Sequence, residues 1–404
     1  MGTEEAAPGG RLPNLDVLRG LAAMGVLVSH AYGLGGRAVP LAAGSLTDAA
    51  LMLLPLGVWL FFAMSGLLIG APFVRSLVTG TPRPETSAYA LRRIARVYPL
   101  YLVCAAAVLV AVGVRSMSTR DTAAHLLLLH NLVPDRQLAF INVTWTLSLE
   151  VLFYASVPIV AWTVAALRRG RPVAPPVLAR WIVATAALSV AWMLAAGFVS
   201  PVMTRVGLYA RMLFPSMWSA FCPGLLIAVA RHAAPADLER SAALRLLDRL
   251  RRDPAAARRV GLGFAALGVA SFAARPAWGF LFLWAYDLGR VCWSVAFGVL
   301  VLRAIEAHHL PARTPRLLER LGDWSYGTYL IHGAVFTVLT TTARGRDLIP
   351  LPHGGLAAFA VHALYLTALT LPLAALSWRW IEQPAMRAAR RRTTATPEPS
   401  PATT

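Results

Sequence analysis

The chain has 404 residues, of which 57% are hydrophobic and only 14% charged, with a mean hydropathy of +0.59. A soluble domain carries about 25% charged residues, so the composition excludes an ordinary soluble enzyme, a disordered chain and a disulfide scaffold. It predicts an all-α polytopic membrane protein of about ten helices. The formal charge of +19 comes entirely from 38 arginines, with no lysine, a usage that points to a GC-rich bacterial genome rather than to a nucleic-acid partner.

Ten apolar runs of spanning length follow in chain order, at about 15–34, 51–74, 94–114, 143–166, 181–200, 212–230, 260–274, 279–302, 321–342 and 356–381. The apolar stretch 122–133 is too short to span and is expected as an interfacial or re-entrant piece. Placing the N-terminus inside puts 27 arginines in the inner segments and 9 in the outer ones, with Arg19 and Arg290 inside helices. That bias fits the positive-inside rule and predicts both termini in the cytoplasm, in a multi-pass plasma-membrane protein. Three segments result: a cytoplasmic tail at 1–14, a transmembrane domain at 15–386, and a basic, then disordered, tail at 387–404. Between the sixth and seventh runs, Leu238, Leu244, Leu247 and Leu250 alternate with Arg and Asp. They read as a basic amphipathic helix on the inner surface or as a solvated connector. Cys104, Cys222 and Cys292 lie far apart in apolar stretches and read as small buried side chains; no metal motif is expected.

An ionisable group inside a membrane helix costs a few kcal/mol unless paired or hydrated, so the short set of such groups is informative. In the first run Arg19 and His30 are eleven residues apart, about three turns, and share a face some 16 Å long. A fixed cation thus lies below a group that titrates near neutrality. The second run carries Ser65, with Gly66 and Gly70 as a small-residue pair for close helix packing. Arg93 and Arg96 sit i, i+3 at the start of the third run, where two guanidiniums suit phosphate oxygens or simply satisfy charge topology. The fourth contains Trp145-Thr146-Leu147-Ser148-Leu149-Glu150, with Tyr154 one turn on. Glu150 must be paired, protonated or facing water. Asp287 and Arg290 are spaced to neutralise each other. Ser325, Tyr329 and His332 form a polar stripe on the ninth run, which fits interhelical hydrogen bonding and cavity lining alike.

Taken together and in order, these segments resemble the acyltransferase-3 family of integral-membrane acyltransferases. The resemblance rests on Leu15–His30, Leu60–Gly66, Arg93–Arg96, Trp145–Glu150, Ser325–His332 and Glu382-Gln383-Pro384, covering about residues 12–386. Trp59 departs from it, standing where relatives commonly carry an acidic or amide side chain. The resemblance implies an acyl-CoA-dependent O-acyltransferase, moving an acetyl or other short acyl group to a hydroxyl of a sugar-containing acceptor. His30, Arg19 and Glu150 would be catalytic and Arg93 and Arg96 would bind the acyl-CoA donor, with no bound cofactor or metal. Ser65, Trp145, Ser148, Tyr154, Ser325, Tyr329 and His332 would line the cavity. The competing expectation is a proton-coupled transporter using the same buried His and Glu. No repetition of the Arg19/His30 or RxxR pattern in the second half supports the two-halved architecture common in transporters.

Overall fold

The computed structural model describes residues 12–34, 51, 53–113, 118–134, 136, 138, 140–199, 205–274, 282–307, 315–349 and 355–394. Among the described residues every regular element is helical. The first half holds α1 (Pro13–Leu34), α2 (Gly57–Thr79), α3 (Thr86–Val112), a short α4 (Thr119–Leu126), α5 (Thr144–Leu167) and α6 (Pro175–Val199). Next come α7 (Arg205–Met212), α8 (Phe214–Ala230), α9 (Pro235–Glu239), α10 (Ala242–Arg252), α11 (Pro254–Ala273) and α12 (Phe282–Glu306). The chain closes with α13 (Arg316–Asp323), α14 (Ser325–Thr341), α15 (Ala343–Asp347), α16 (Gly355–Ser377) and α17 (Gln383–Thr394).

Each of the ten apolar runs coincides with a helix, but seven helices among the described residues are long and apolar enough to cross a membrane. The three that fall short have physical reasons. The described part of α1 is short and carries Asp16, Arg19 and His30, and Arg258 and Arg259 lower the hydropathy of α11. With 17 residues, α14 reaches only about 26 Å. Boundaries shift where proline or polar chemistry dictates. Pro55 sits in a 3-10 turn, Leu54–Leu56, so the second helix proper starts at Gly57 and runs to Thr79, beyond the apolar run. The ninth run is broken between α13 and α14 at Trp324. The stretch 122–133 is the end of α4 and a 3-10 turn at His130–Leu132. The C-terminal segment expected as a tail begins as helix, α17; residues from 395 on, part of the stretch expected to be disordered, lie outside the described residues.

Glycines set the closest helix contacts. A Cβ on Gly66 would collide with the Phe221 carbonyl, and one on Gly224 with the backbone of Ala63 and Leu67, so α2 and α8 meet backbone to backbone. Gly20 of α1 and Gly322 of α13 interlock in the same way. Between the sixth and seventh runs, α10 buries Leu244 and Leu250 and turns Arg251 and Arg252 outward, ion-paired to Asp248. Asp253 then caps α11, its carboxylate accepting from the amides of Ala255 and Ala256 at 2.9 Å. Large apolar side chains such as Val110, Leu188 and Leu364 stand exposed on α3, α6 and α16, a surface that suits hydrocarbon rather than water.

Candidate active site

A cavity of about 390 Å³ runs inward from the end of the bundle where α1, α3 and α14 begin. From α1 it takes Asp16 and Arg19; from α2, Phe61, Met64 and Ser65; from α3, Arg92, Arg93 and Arg96. The helix α5 contributes Thr146, Leu147, Glu150 and Tyr154, and α14 contributes Ser325, Tyr326 and Tyr329. Trp378, Met386 and Arg390 close it from the C-terminal end. Its wall therefore carries five arginines against three carboxylates, Asp16, Glu150 and Asp323. A cationic wall around an open cleft attracts an anionic ligand.

The two arginines of the RxxR pair differ sharply. Arg93 lies between two phenol rings, its Cζ 5.9 Å from the Tyr89 centroid and 5.7 Å from that of Tyr154. The Tyr89 hydroxyl fixes the sandwich by donating to the Tyr154 carbonyl at 3.0 Å. The Nε of Arg93 is buried with no hydrogen-bond partner, so this guanidinium has donor capacity left. Arg96 instead forms an ion pair with Glu382 at 3.4 Å and stacks near Tyr326 and Trp378. Glu382 is itself held by the Ser377 hydroxyl at 3.0 Å, in the π-helical turn Trp378–Glu382 that joins α16 to α17. At the centre of the cavity the Ser65 hydroxyl donates to Glu150 Oε1 at 2.8 Å. Arg19 keeps a 3.8 Å contact with Asp16, one turn before it.

His30 does not line this cavity. It lies farther along α1 and is part-buried, with its ring centroid 5.0 Å from that of the fully buried His332 and 5.5 Å from that of Phe336. Its Nδ1 is 3.0 Å from the Val26 carbonyl, and Nδ1 of His332 is 2.9 Å from the Thr328 carbonyl. A carbonyl only accepts, so each Nδ1 carries the hydrogen and each Nε2 presents a lone pair. Nε2 of His332 is buried without a partner. Between the cavity and the histidines stands Tyr329, its ring 5.9 Å from Phe61 on one side and 5.6 Å from His332 on the other.

The structure thus gathers Arg19, Ser65, Arg93, Arg96, Glu150, Tyr154, Ser325 and Tyr329 around one cavity and groups His30 with His332 behind it. Three expected lining residues are off the cavity wall: His332, which packs against His30, and Ser148 and Trp145. Ser148 is fully buried with no partner for its hydroxyl, and Trp145 meets the short 3-10 turn through its carbonyl, which accepts from Asn131 at 2.8 Å. Two residues with evident roles were not singled out from sequence: Thr146 lies inside a motif that drew attention to its neighbours, and Arg390 read as topology. Glu382 entered only within the segment Glu382-Gln383-Pro384 that carries the family resemblance, with no role of its own. For Glu382 a signal existed: it is a lone carboxylate closing an apolar run, and such a group needs a partner. Among the described residues no three His, Cys, Asp or Glu side chains converge to hold a metal.

The family described as an acyltransferase domain matches residues 12–379, nearly the whole chain. No curated protein and no solved structure matches it.

Proposed function

The chain belongs to this acyltransferase family, and on that premise we propose that it transfers a short acyl group, acetyl first, from acyl-CoA to a hydroxyl of a sugar-containing acceptor at the plasma membrane. The observation that carries the reading is the cavity: an arginine-rich entrance leading past a Ser65–Glu150 pair toward two histidines that each direct Nδ1 at a backbone carbonyl, with Nε2 of His332 unpartnered. In this reading ten helices span the bilayer with both termini in the cytoplasm, which the 27-to-9 arginine distribution supports. The entrance then faces the compartment that holds acyl-CoA.

Each group has work that its chemistry suits. Arg93, with Arg92 and Arg390 beside it on the cavity wall, receives the phosphates of CoA. Glu150 and Ser65 meet the amide N–H and carbonyl groups of the pantetheine arm, and Arg19 offsets the carboxylate's charge. His30 acts as general base, because a hydroxyl is a poor nucleophile at neutral pH. Its Nε2 takes the hydroxyl proton as the oxygen attacks the thioester carbonyl. The carbon–sulfur bond then breaks, and the imidazolium returns the proton to the CoA thiolate.

Purified protein in proteoliposomes, given acetyl-CoA and an envelope-polysaccharide fraction, tests this. Release of free CoA thiol that requires the fraction, with acetyl ester appearing on it, is the expected result. Solute flux without thioester cleavage would overturn the reading in favour of transport.

A further inference from the structure

On the cavity wall one side chain also touches the histidine pair: the Tyr329 ring contacts Phe61, which lines the cavity, and His332, which does not. The Tyr329 hydroxyl lies 2.7 Å from the Thr146 hydroxyl, and both reach the Val143 carbonyl, at 3.1 and 3.0 Å. One of the two hydroxyls therefore donates to the other while the carbonyl is satisfied, a three-membered latch between α14 and α5. Tyr329 is 6% exposed, with Phe61 on its cavity side and His332 on the other. Attack requires the acyl carbon within about 3–3.5 Å of the hydroxyl oxygen, itself in hydrogen-bond reach of the base. With Tyr329 latched, no group held in the cavity meets that condition at His30.

We propose that Tyr329, latched to Thr146, is a gate: the acyl group reaches the His30–His332 pair only when this latch opens. The inference rests on the proposed transfer, and it adds a step that the transfer must pass through. The backbone around the gate is fixed. A Cβ on Gly333, one turn after Tyr329, would collide with the Val143 side chain, so α14 and the entry to α5 are already in closest contact. Only the ring is left to move. In a helix a tyrosine has two accessible χ1 wells, so the gate has two discrete positions rather than a continuous range. The cavity supplies the space into which the ring can turn. A polar path that was permanently open across the bundle would pass protons and bring water to the thioester at the base. A latch made of two hydroxyls and a carbonyl closes the path with no charge to bury.

Thiol labelling reads the gate without depending on the reaction. The His30→Cys variant is prepared in sealed vesicles with the arginine-rich face outward and exposed to a charged, membrane-impermeant methanethiosulfonate. Peptide mass spectrometry separates label at position 30 from label at Cys104, Cys222 and Cys292. Label at position 30 is expected to form slowly in His30→Cys alone. Adding Thr146→Val, which keeps the shape and removes the latch hydroxyl, should speed it about tenfold, the population change for one lost net hydrogen bond. Tyr329→Phe should behave like Thr146→Val, and Tyr329→Ala should be faster still. Equal rates in all four proteins, or fast labelling in His30→Cys alone, would overturn the gate. If acetyl-CoA turnover fails in the protein with His30 intact while labelling of the His30→Cys series follows this order, the gate stands and the proposed transfer falls. If turnover holds while labelling ignores Thr146 and Tyr329, the gate alone falls.

Discussion

Two groups of arginines sit in the same apolar bundle and are handled in opposite ways, one part-exposed and one buried. At the cavity, Arg19 and Arg93 line open volume, and Arg93 retains an unpartnered N–H. In the other group Arg211 and Arg290, 4% and 6% exposed, both close on Asp287, which is fully buried. The Arg290 guanidinium is also covered by the faces of Trp59, at 4.4 Å, and Tyr286, at 5.3 Å. Residue type alone therefore does not mark a functional arginine in a membrane protein. What separates the two is whether packing has left open volume beside the guanidinium: the cavity reaches Arg19 and Arg93 but neither Arg211 nor Arg290, whereas a buried Nε without a partner occurs in both groups, at Arg93 and at Arg290. The sealed group ties α7 and α12 to the tryptophan of α2, and the open group is the one that the proposed transfer uses.

The difference is most severely tested at its ends. On the open side, His30→Ala should lower acyl transfer by about 10²–10⁴-fold, the usual weight of a general base, while the purified protein unfolds at an unchanged temperature. Near-wild-type turnover in that variant would remove His30 from the mechanism. On the sealed side the expectation reverses. Asp287→Ala strands two guanidiniums in an apolar interior, which costs about 3–5 kcal/mol when one partner of a buried pair is removed. Detergent-solubilised protein should then unfold far below the wild type or fail to accumulate. If Asp287→Ala folds normally and loses only activity, the two groups are not distinct in kind.

A third polar spot, outside the spanning helices, behaves like the sealed group but titrates. His125 and His130 stack at 4.3 Å, both buried, and neither ring nitrogen of His125 has a hydrogen-bond partner. Burial pushes His125 down to about 4, with Asp121 opposing and Arg136 adding to the shift, and it pushes His130 down to about 3, aided by its neighbour. Both are neutral in the folded protein. As pH falls below about 6.5 the unfolded chain takes up protons that the folded one refuses. Stability is therefore full above that pH and is lost progressively toward pH 4 and 3. By pH 5.5 the loss should be about 2–3 kcal/mol for the pair, and His125→Gln/His130→Gln should flatten it. A pH-independent unfolding midpoint between 7.5 and 5.5 in the wild type would show that the pair is not held neutral.

The helices were legible in the sequence because hydrocarbon demands long apolar runs: the ten runs fall on helical segments, the ninth broken at Trp324, and seven helices among the described residues are long and apolar enough to cross a membrane. The ionisable residues inside them were legible as a short set for the same reason: each carries a cost that something must offset. Which of them meet was not legible. Thr146 and Tyr329 are separated by 183 positions, Arg96 and Glu382 by 286, and Arg211 and Asp287 by 76, and helices that are apolar all round give no periodicity to orient one face toward another. Arg19 and His30 do share a helix, yet the structure puts one in the cavity and the other behind Tyr329. Spacing along α1 fixes their separation but says nothing of what α14 inserts between them.

The smallest effect sharpens the comparison most, because it falls inside a single motif. Arg93 and Arg96 are one helical turn apart, and a charge count treats them alike. Among the described residues Arg93 has no carboxylate partner, whereas Arg96 is committed to Glu382 and through it to the turn that carries α17. Arg93→Gln should therefore raise the apparent KM for acetyl-CoA about tenfold, the weight of one charge-assisted hydrogen bond to phosphate, with little change in the acceptor's KM or in unfolding temperature. Arg96→Gln should do the reverse: it leaves Glu382 buried at 1% exposure without its cation, so stability falls while KM moves less. Adding Glu382→Gln to Arg96→Gln should recover much of that stability, since a neutral pair no longer strands a charge, and the double-mutant cycle measures the coupling directly. If Arg96→Gln instead matches Arg93→Gln in KM and Glu382→Gln rescues nothing, the two arginines act together on the donor. The line between open and sealed arginines would then run outside this motif rather than through it.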